Sequence, residues 1–308
     1  MLQLPPLSLY IHIPWCVRKC PYCDFNSHEQ FDSSLETGYI DALLTDLRQQ
    51  LVSVGSRPLF SVFLGGGTPS LFSGASIARL LSGIDQIWSI SPTTEITMEA
   101  NPGSAEASRF ADYRSAGVNR LSLGIQSFAD AQLAALGRVH DSAQAMQAIQ
   151  LAKQHFDRFN LDIMHGLRGQ KIETALDDLE RAIDHSQGHV SWYQLTIEPN
   201  TTFWSRPPRL PSDDILTDIQ DAGEARFHES GLTQYEVSAW ALPQQMAQHN
   251  LNYWTFGDYI GIGAGAHGKI TKENGSIIRT RRSRSPRDYL TGIAEGVLPH
   301  QQQLPQTE

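Results

Sequence analysis

Cysteine is scarce in this sequence, and the features of exported and membrane proteins are missing. The 308 residues include three cysteines, Cys16, Cys20 and Cys23, all within one short segment. An odd number so closely spaced does not form the disulfide framework of a secreted domain. No run approaches the ~20 apolar residues that a membrane helix needs, and the N-terminal residues lack the basic start and cleavage site of a signal peptide. We therefore expect a cytoplasmic protein whose thiols bind metal.

Excess positive charge is also missing. The chain has 24 Lys and Arg against 33 Asp and Glu, which gives a formal net charge of −9. Proteins that bind nucleic acid in bulk rely on a basic surface, so we expect no nucleic-acid partner. At this length the chain can bury a sizeable core without disulfides.

Short β-branched segments alternate with longer amphipathic ones over the first two thirds of the chain. Helical spacing of Leu43, Leu47 and Leu51, for example, predicts a helix that ends near Gly55. Six strand–helix units in series favour parallel strands joined by right-handed crossovers. We therefore predict an α/β fold, a partial (β/α)6 barrel of the TIM type. The predicted strands span residues 8–15, 61–64, 95–99, 120–124, 159–164 and 190–197, and the helices 33–52, 75–88, 105–116, 142–156, 172–185 and 212–230.

The last part of the chain has a different pattern. Short strands are predicted over residues 235–241, 259–266 and 277–280, with a glycine-rich turn region between Gly261 and Gly268. These signals do not continue the regular strand–helix alternation. We take residues 1–207 as the barrel core and residues 208–308 as an α+β extension.

The cysteines have the spacing Cys16-x-x-x-Cys20-x-x-Cys23 and follow the first predicted strand. Three thiolates on one tight loop can each bind one iron of a [4Fe–4S] cube, which leaves the fourth iron open to a small chelating molecule. One alternative is a zinc site with His12 or His28 as the fourth ligand, although structural zinc generally takes ligand pairs from separate turns. Buried thiols without a ligand role are the other alternative.

Polar residues or glycines also follow the other predicted strands. Gly65, Gly66, Gly67 and Thr68 come after the second strand, and glycines allow a ligand to approach the backbone closely. In a barrel of parallel strands, functional groups gather at the C-terminal ends of the strands. We therefore expect these residues to meet the cysteines there. The others at or near strand ends are Glu99, Asn101, Gln126, Asp162, Gln194 and Glu198.

The cysteine motif, with Tyr22 before its last cysteine, resembles the signature of the radical S-adenosylmethionine (SAM) superfamily, and the GGGTP segment resembles that superfamily's SAM-binding glycine motif. The resemblance implies a [4Fe–4S] cluster on the three cysteines, with SAM on its open iron. Arg138 would suit the SAM carboxylate, and the acidic residues its ammonium and ribose hydroxyls. A structural ion pair between Arg138 and Asp162 is the alternative for these two. The implied SAM-contacting residues are Tyr10, Tyr22, Gly66, Gly67, Thr68, Glu99, Gln126, Arg138 and Asp162.

Longer segments narrow the resemblance to one family. YIHIPWC, GGGTPS, EANPGS, GVNRLSLGIQSF, LGRVH and YQLTIEPNT resemble the anaerobic coproporphyrinogen III dehydrogenase family, and most of all its heme chaperone branch. Two features favour that branch: Phe25 stands where the dehydrogenases have a further cysteine, and only nine residues precede Tyr10. The family continues beyond Glu308 with a further helical region, so the resemblance implies a shortened C-terminus, as a fragment or a natural short form.

The heme chaperone branch associates heme with an HNxxYW pattern, present here with His249, Tyr253 and Trp254. A neutral imidazole can ligate heme iron, and aromatic side chains can cover a porphyrin face. The alternative is a surface histidine beside a packed Tyr–Trp pair. A basic run is either a solvated hairpin or a contact for heme propionates or an acidic partner. It consists of Arg279, Arg281, Arg282, Arg284 and Arg287.

The resemblance thus implies a heme chaperone that binds heme, carries a SAM-coordinated [4Fe–4S] cluster and transfers heme to an acceptor protein. A membrane-associated acceptor and a homodimer are both compatible with this function. Two alternatives stay open. The first is a radical SAM enzyme of porphyrin biosynthesis that acts on coproporphyrinogen III. The second is a heme or iron–sulfur storage module with a vestigial SAM site, although the complete set of SAM residues argues against it.

Overall fold

Six parallel strands, paired in chain order, form the centre of the structure. This computed structural model describes residues 3–29, 31–55 and 57–304. Each central strand pairs in parallel with the next one along the chain, so the predicted partial (β/α)6 barrel is confirmed. The strands are β1 (Leu7–Ile13), β2 (Leu59–Gly66), β3 (Glu95–Ala100), β4 (Arg120–Gln126), β5 (Phe159–His165) and β6 (His189–Gln194).

Helices connect these strands on one side of the sheet, which we call the outer face. They are α1 (Leu35–Val54), α2 (Gly74–Trp88), α3 (Ser104–Ala107), α4 (Phe110–Ala116), α5 (Asp130–Ala135), α6 (Ser142–His155), α7 (Ile172–His185), α8 (Thr202–Ser205) and α9 (Asp213–Glu229). The prediction of one helix over residues 105–116 is wrong, because α3 and α4 are separate. Arg109 at the break donates hydrogen bonds to Ser70 O and Leu71 O at 3.3 and 2.9 Å, which fixes the chain there.

The C-terminal part adds strands to both edges of the same sheet. Its elements are β7 (Thr233–Gln234), β8 (Ala239–Ala241), α10 (Gln248–Trp254), β9 (Asp258–Ile262), β10 (His267–Thr271), β11 (Ile277–Arg281), α11 (Pro286–Ala294) and β12 (His300–Gln303). β9 pairs in parallel with β1 and β8 antiparallel with β6, so the sheet is extended rather than closed. The division at residues 207 and 208 stays a prediction; residues 1–2 and 305–308 of the predicted units lie outside the described residues.

Along β1, apolar and polar side chains alternate and point to opposite faces of the sheet. Leu9 and Ile11 are fully buried in the main hydrophobic core under the outer helices. Ser8, Tyr10 and His12 alternate with them and therefore lie on the opposite, inner face. Helix α10 packs on this inner face against β1 and β2, so the inner face carries the polar side chains that sequence patterning had placed at strand ends.

No helix within the described residues combines the length and the apolar character needed to cross a bilayer. The longest, α1, has 20 residues and includes Glu36, Asp41, Asp46 and Arg48. The cytoplasmic location expected from the sequence stays a prediction.

Candidate cofactor site

The loop after β1 carries all three cysteines. The Cys16 N–H donates to His28 O at 3.0 Å and connects the two ends of the loop. Within the loop, the Cys23 N–H donates to Cys20 O at 3.1 Å and closes a tight turn. The three residues are partly exposed and none forms a disulfide. Burial raises the pKa of the Cys16 and Cys23 thiols, and a metal bound to them would favour the thiolates.

Two side chains from other loops reach the cysteine loop. Thr68 Oγ1 donates to Cys16 Sγ at 3.4 Å, and the Arg138 guanidinium lies 3.5 Å from Cys20 Sγ. Both contacts favour negative charge on sulfur. No group of three His, Cys, Asp or Glu side chains within the described residues is arranged to hold a single metal ion. A [4Fe–4S] cube needs one thiolate on each of three irons instead, so the donor set fits a cluster.

Of the two candidate histidines of the zinc alternative, His12 is the one whose ring is fully used within the protein. The Tyr10 hydroxyl lies 2.9 Å from His12 Nδ1, and His12 Nε2 lies 2.8 Å from Asn26 O. Both ring nitrogens of His12 are therefore engaged within the protein. His28 Nε2 lies 3.2 Å from Arg284 O, a contact that leaves its Nδ1 available, so His28 stays open as a ligand.

The glycine motif ends β2 beside the cysteine loop. The Gly66 N–H donates to Glu99 Oε2 at 3.0 Å, and the Gly67 N–H donates to Ile13 O at 2.7 Å. Both N–H groups are thus used within the chain, so any contact of these glycines with SAM falls to their carbonyl groups. Gly66 has a φ of 109°, and a Cβ there would lie 2.4 Å from the His12 ring. The positive φ and the close approach to His12 already favour glycine at this position.

Two carboxyl groups, those of Glu99 on β3 and Asp162 on β5, face each other across the barrel interior. Burial and the nearby Asp162 charge raise the pKa of Glu99 to about 7. Burial also raises the pKa of Asp162, which accepts hydrogen bonds from Ser122 Oγ at 2.6 Å and Asn160 Nδ2 at 2.7 Å. Such a pair favours a cationic ligand between its members.

Arg138 and Asp162 do not form the ion pair that was the alternative for them. One Arg138 nitrogen donates to Asn101 Oδ1 at 2.6 Å and to Gly124 O at 2.9 Å, while another approaches Cys20. No salt bridge joins Arg138 to Asp162 among the described residues. Arg138 is instead placed to offset the charge of a cluster on the cysteines.

Tyr22 and Gln126 take different positions around the loop. The Tyr22 ring lies 6.4 Å from the Phe203 ring and packs on a small apolar cluster that includes Leu136 and Leu195. It therefore anchors the cysteine loop. Gln126, the last residue of β4, has a φ of 68°, a conformation that non-glycine residues adopt mainly where a site or turn requires it.

The predicted heme motif lies on α10, and its members point in different directions. His249 is partly buried, with Nδ1 3.0 Å from Ser61 Oγ and its ring stacked on Phe63 at 4.9 Å. Burial lowers the pKa of His249 to about 4, so the imidazole is neutral at physiological pH. Tyr253 lines the same cavity as His249 and Trp254 does not, although both aromatic side chains are about half exposed. The Tyr253 and Trp254 rings pack edge to face 6.1 Å apart, as the alternative expects, whereas His249 is partly buried rather than on the surface; the heme role of the motif stays a prediction.

One cavity of about 1080 Å³ joins these groups. It exceeds the ~300–1,000 Å³ of ordinary small-molecule pockets. Three of the expected SAM-site residues, Tyr10, Gly66 and Glu99, therefore share one open cavity with His249 and Tyr253 of the heme motif. Residues on its wall include Tyr10, Gly66, Glu99, His249, Tyr253 and Tyr259.

The arginines of the basic run lie in different environments in the structure. Arg282 is buried and pairs with Asp46, so it is not part of a solvated hairpin, although it also contributes to the cavity wall. Arg281 and Arg284 line the cavity. The exposed arginines of the run are Arg279, Arg281, Arg284 and Arg287.

Sequence reasoning missed Ser61 and Phe63, which contact His249. It also missed Ser8 and Asn252, which continue the hydrogen bonds from Ser61. A signal was present, because polar residues alternate with apolar ones along β1 and therefore share one face. What the sequence could not provide was the position of α10 against that face.

The chain matches the profile of the radical SAM superfamily over residues 10–182. It is 54% identical over 293 residues to heme chaperone HemW of Escherichia coli (strain K12), a match that covers 95% of this chain and 78% of that protein. The chain belongs to the HemW family of the radical SAM superfamily. Membership implies SAM and a [4Fe–4S] cluster as cofactors, in agreement with the donor set around the cysteines.

Two further similarities extend this result. Radical S-adenosyl methionine domain-containing protein 1, mitochondrial, of Mus musculus is 38% identical over 283 residues, which cover 90% of this chain and 63% of that protein. The solved structure of coproporphyrinogen III oxidase (HemN) from Escherichia coli, described as a radical SAM enzyme, superposes with a TM-score of 0.84 at 23% identity, over 98% of this chain and 72% of that chain. At that identity the superposition supports the fold alone.

Proposed function

We propose that this protein is a heme chaperone, which binds heme in the cavity and passes it to an acceptor protein. Two relatives support the proposal. The proteins named heme chaperone HemW in Escherichia coli and Haemophilus influenzae are 54% and 55% identical to this chain, respectively. The observation that carries the proposal in this chain is the neutral His249 on the wall of the large cavity. A neutral imidazole is the form that ligates iron.

The rest of the cavity wall suits a porphyrin. Tyr253 and Tyr259, whose rings lie 5.4 Å apart, offer aromatic surface on the side of His249. Arg281 and Arg284 on the same wall suit the two propionates, because guanidinium groups bind carboxylates by charge-assisted hydrogen bonds. In this proposal His249 ligates the iron, Tyr253 covers part of the ring and Trp254 flanks the entrance.

The cysteine loop, which reaches the cavity wall at Phe25 and Asn26, is proposed to hold the cluster, with SAM beside it. Cys16, Cys20 and Cys23 would ligate the cluster, which supplies a redox centre with one coordination position open for SAM. Arg138 and Thr68 favour the thiolate charge. The remaining residues proposed to surround SAM are Tyr10, Tyr22, Gly66, Gly67, Glu99, Gln126 and Asp162.

A coproporphyrinogen III dehydrogenase is the enzyme alternative. Its support is a likeness in fold at 23% identity, whereas the chaperone has close relatives that carry its name. Incubation with coproporphyrinogen III under anaerobic, reducing conditions distinguishes the two, because a dehydrogenase would release decarboxylated product. A cytoplasmic location, a membrane-associated acceptor and a homodimer stay predictions within the chaperone proposal.

Heme titration of the wild type and of His249→Ala tests the proposal. We expect His249→Ala to remove or shift the Soret band and to weaken binding, because an axial bond is lost. Trp254→Ala is the matched control on the same helix, and we expect a small change in affinity without a change in spectrum. An unchanged spectrum in His249→Ala would refute ligation by this residue. Heme loaded on the wild type should also appear in an added heme-free acceptor protein.

A further inference from the structure

A series of buried hydrogen bonds connects His249 to β1. His249 Nδ1 lies 3.0 Å from Ser61 Oγ. Ser61 Oγ donates to Ser8 Oγ at 2.8 Å, and Ser8 Oγ also accepts a hydrogen bond from Asn252 Nδ2 at 2.9 Å. Both serines are fully buried, so water does not compete for these bonds.

The direction of these bonds determines which imidazole nitrogen carries the proton. A serine hydroxyl has one proton, and Ser61 donates it to Ser8. Ser61 Oγ must therefore act as the acceptor toward His249. In a neutral ring, the proton then resides on Nδ1 and the lone pair on Nε2. Within the described residues Nε2 makes no hydrogen bond, and the side chain lines the cavity.

Other contacts hold the ring and its helix in place. Phe63, two residues beyond Ser61 on β2, stacks on the imidazole at 4.9 Å with an interplanar angle of 29°. At the start of α10, Glu95 Oε1 accepts hydrogen bonds from the Gln248 and His249 N–H groups at 2.7 and 3.3 Å. The imidazole is therefore oriented before any ligand arrives.

We propose that Ser61 is the positioning residue for His249: it holds the imidazole as the Nδ1–H tautomer and so directs the Nε2 lone pair at the iron of bound heme. This inference rests on the proposed function, in which His249 is the heme ligand. In metal sites, a hydrogen bond from the second ring nitrogen fixes the tautomer and raises the basicity of the ligating nitrogen. Here a serine hydroxyl, supported by Ser8 and Asn252, accepts that bond.

The tautomer can be measured without heme. Nitrogen-15 NMR of the histidine side chains, with the His249 signal identified by its loss in His249→Ala, should show the proton on Nδ1 in the wild type. In Ser61→Ala the acceptor is gone, and we expect a mixture of tautomers or the Nε2–H form. A wild-type His249 with its proton on Nε2 would overturn the proposal.

Heme binding provides the second readout. Ser61→Ala should lower heme affinity by roughly 10- to 100-fold, the range found for such supporting residues in metal sites. It should also lower the Fe–N(His) stretching frequency in the resonance Raman spectrum of the ferrous complex, because the ligand is less basic. Ser61→Thr keeps the hydroxyl and should restore both.

Thr97→Val is the matched control on the neighbouring strand. Thr97 pairs with Phe63 in the register of β2 and β3, and its buried Oγ1 has no hydrogen-bond partner among the described residues. We expect wild-type heme affinity and wild-type Raman frequency in this variant. If His249→Ala leaves the heme spectrum unchanged, the proposed ligation is refuted. If His249→Ala removes the spectrum but Ser61→Ala matches the wild type in affinity and frequency, the positioning role alone is refuted.

Discussion

Among the side chains on the cavity wall, Glu99 has a carboxyl that titrates near physiological pH. Its pKa is raised from 4.5 to about 7 by burial and by the Asp162 charge. A ligand with an ammonium group prefers the ionised carboxyl, so binding below that pKa must first remove a proton. We predict that SAM affinity rises with pH, by up to about tenfold per pH unit below 7, and levels off above it. Equilibrium dialysis of SAM with anaerobically reconstituted protein would measure this dependence.

Two variants separate the contribution of Glu99 from other effects of pH. Glu99→Gln removes the titrating group, so its SAM affinity should be weaker and nearly independent of pH in this range. Asp162→Asn removes the repulsion and should move the midpoint to lower pH. If Glu99→Gln kept the wild-type profile, another group would be responsible. Without ligand, the stability that protonated Glu99 contributes is fully present below about pH 4.5 and is lost as pH rises through about 7.

At the residue scale, sequence patterns located individual candidates but not their partners. Cys16 and Glu99 were predictable because local spacing and strand ends mark them. The hydrogen bond between Ser61 and His249 joins residues that are 188 positions apart, and no local pattern encodes it. Arg138 was expected to face SAM or Asp162, yet its guanidinium contacts Asn101 and Cys20.

The turn at the end of β2 determines the conformation of the glycine motif. Gly66 has a φ of 109°, and a Cβ there would lie 2.4 Å from the His12 ring, which is itself held by Tyr10 and Asn26. We predict that Gly66→Ala lowers the free energy of unfolding by roughly 2–4 kcal/mol, from backbone strain together with overpacking. Urea unfolding followed by circular dichroism would measure the change.

Gly231→Ala is the control for backbone strain alone. Gly231 also has a positive φ, of 76°, but a Cβ there would meet nothing within 4 Å. We expect a loss of about 1 kcal/mol. Equal losses in the two variants would mean that His12 moves aside freely and that the close approach does not require glycine.

At the element scale, local patterns predicted the central strands and most helices. The patterns are local because each strand–helix unit buries its own apolar face. The position of β9 beside β1 could not be predicted, because it depends on distant residues: Asp258 accepts from Arg57 at 2.8 Å and from Lys269 at 3.1 Å. Of the strand predicted over 235–241, residues 239–241 form β8, and the part before it turns because the Tyr235 N–H donates to Ala239 O.

The whole molecule brings the two proposed binding sites into one space. The cysteine motif and the HNxxYW motif lie far apart in the sequence, and nothing local in either motif indicates that their ligands would meet. Helix α10 on the inner face instead places the His249 ring 6.4 Å from the Tyr10 ring, and both line the cavity of about 1080 Å³ with Glu99. SAM and heme bound at these positions would both contact the side of the cavity that Tyr10 forms.

We therefore predict that SAM weakens heme binding by about fivefold or more, with the same factor for heme on SAM because linkage is reciprocal. Heme titrations with and without saturating SAM would measure it. Cys16→Ser, which should lose the cluster and with it SAM binding, provides the control: its heme affinity should match that of the SAM-free wild type and should not respond to added SAM. A heme affinity that SAM leaves unchanged or increases would contradict competition for the shared wall, because ligands that meet at Tyr10 cannot both keep their full contacts with it.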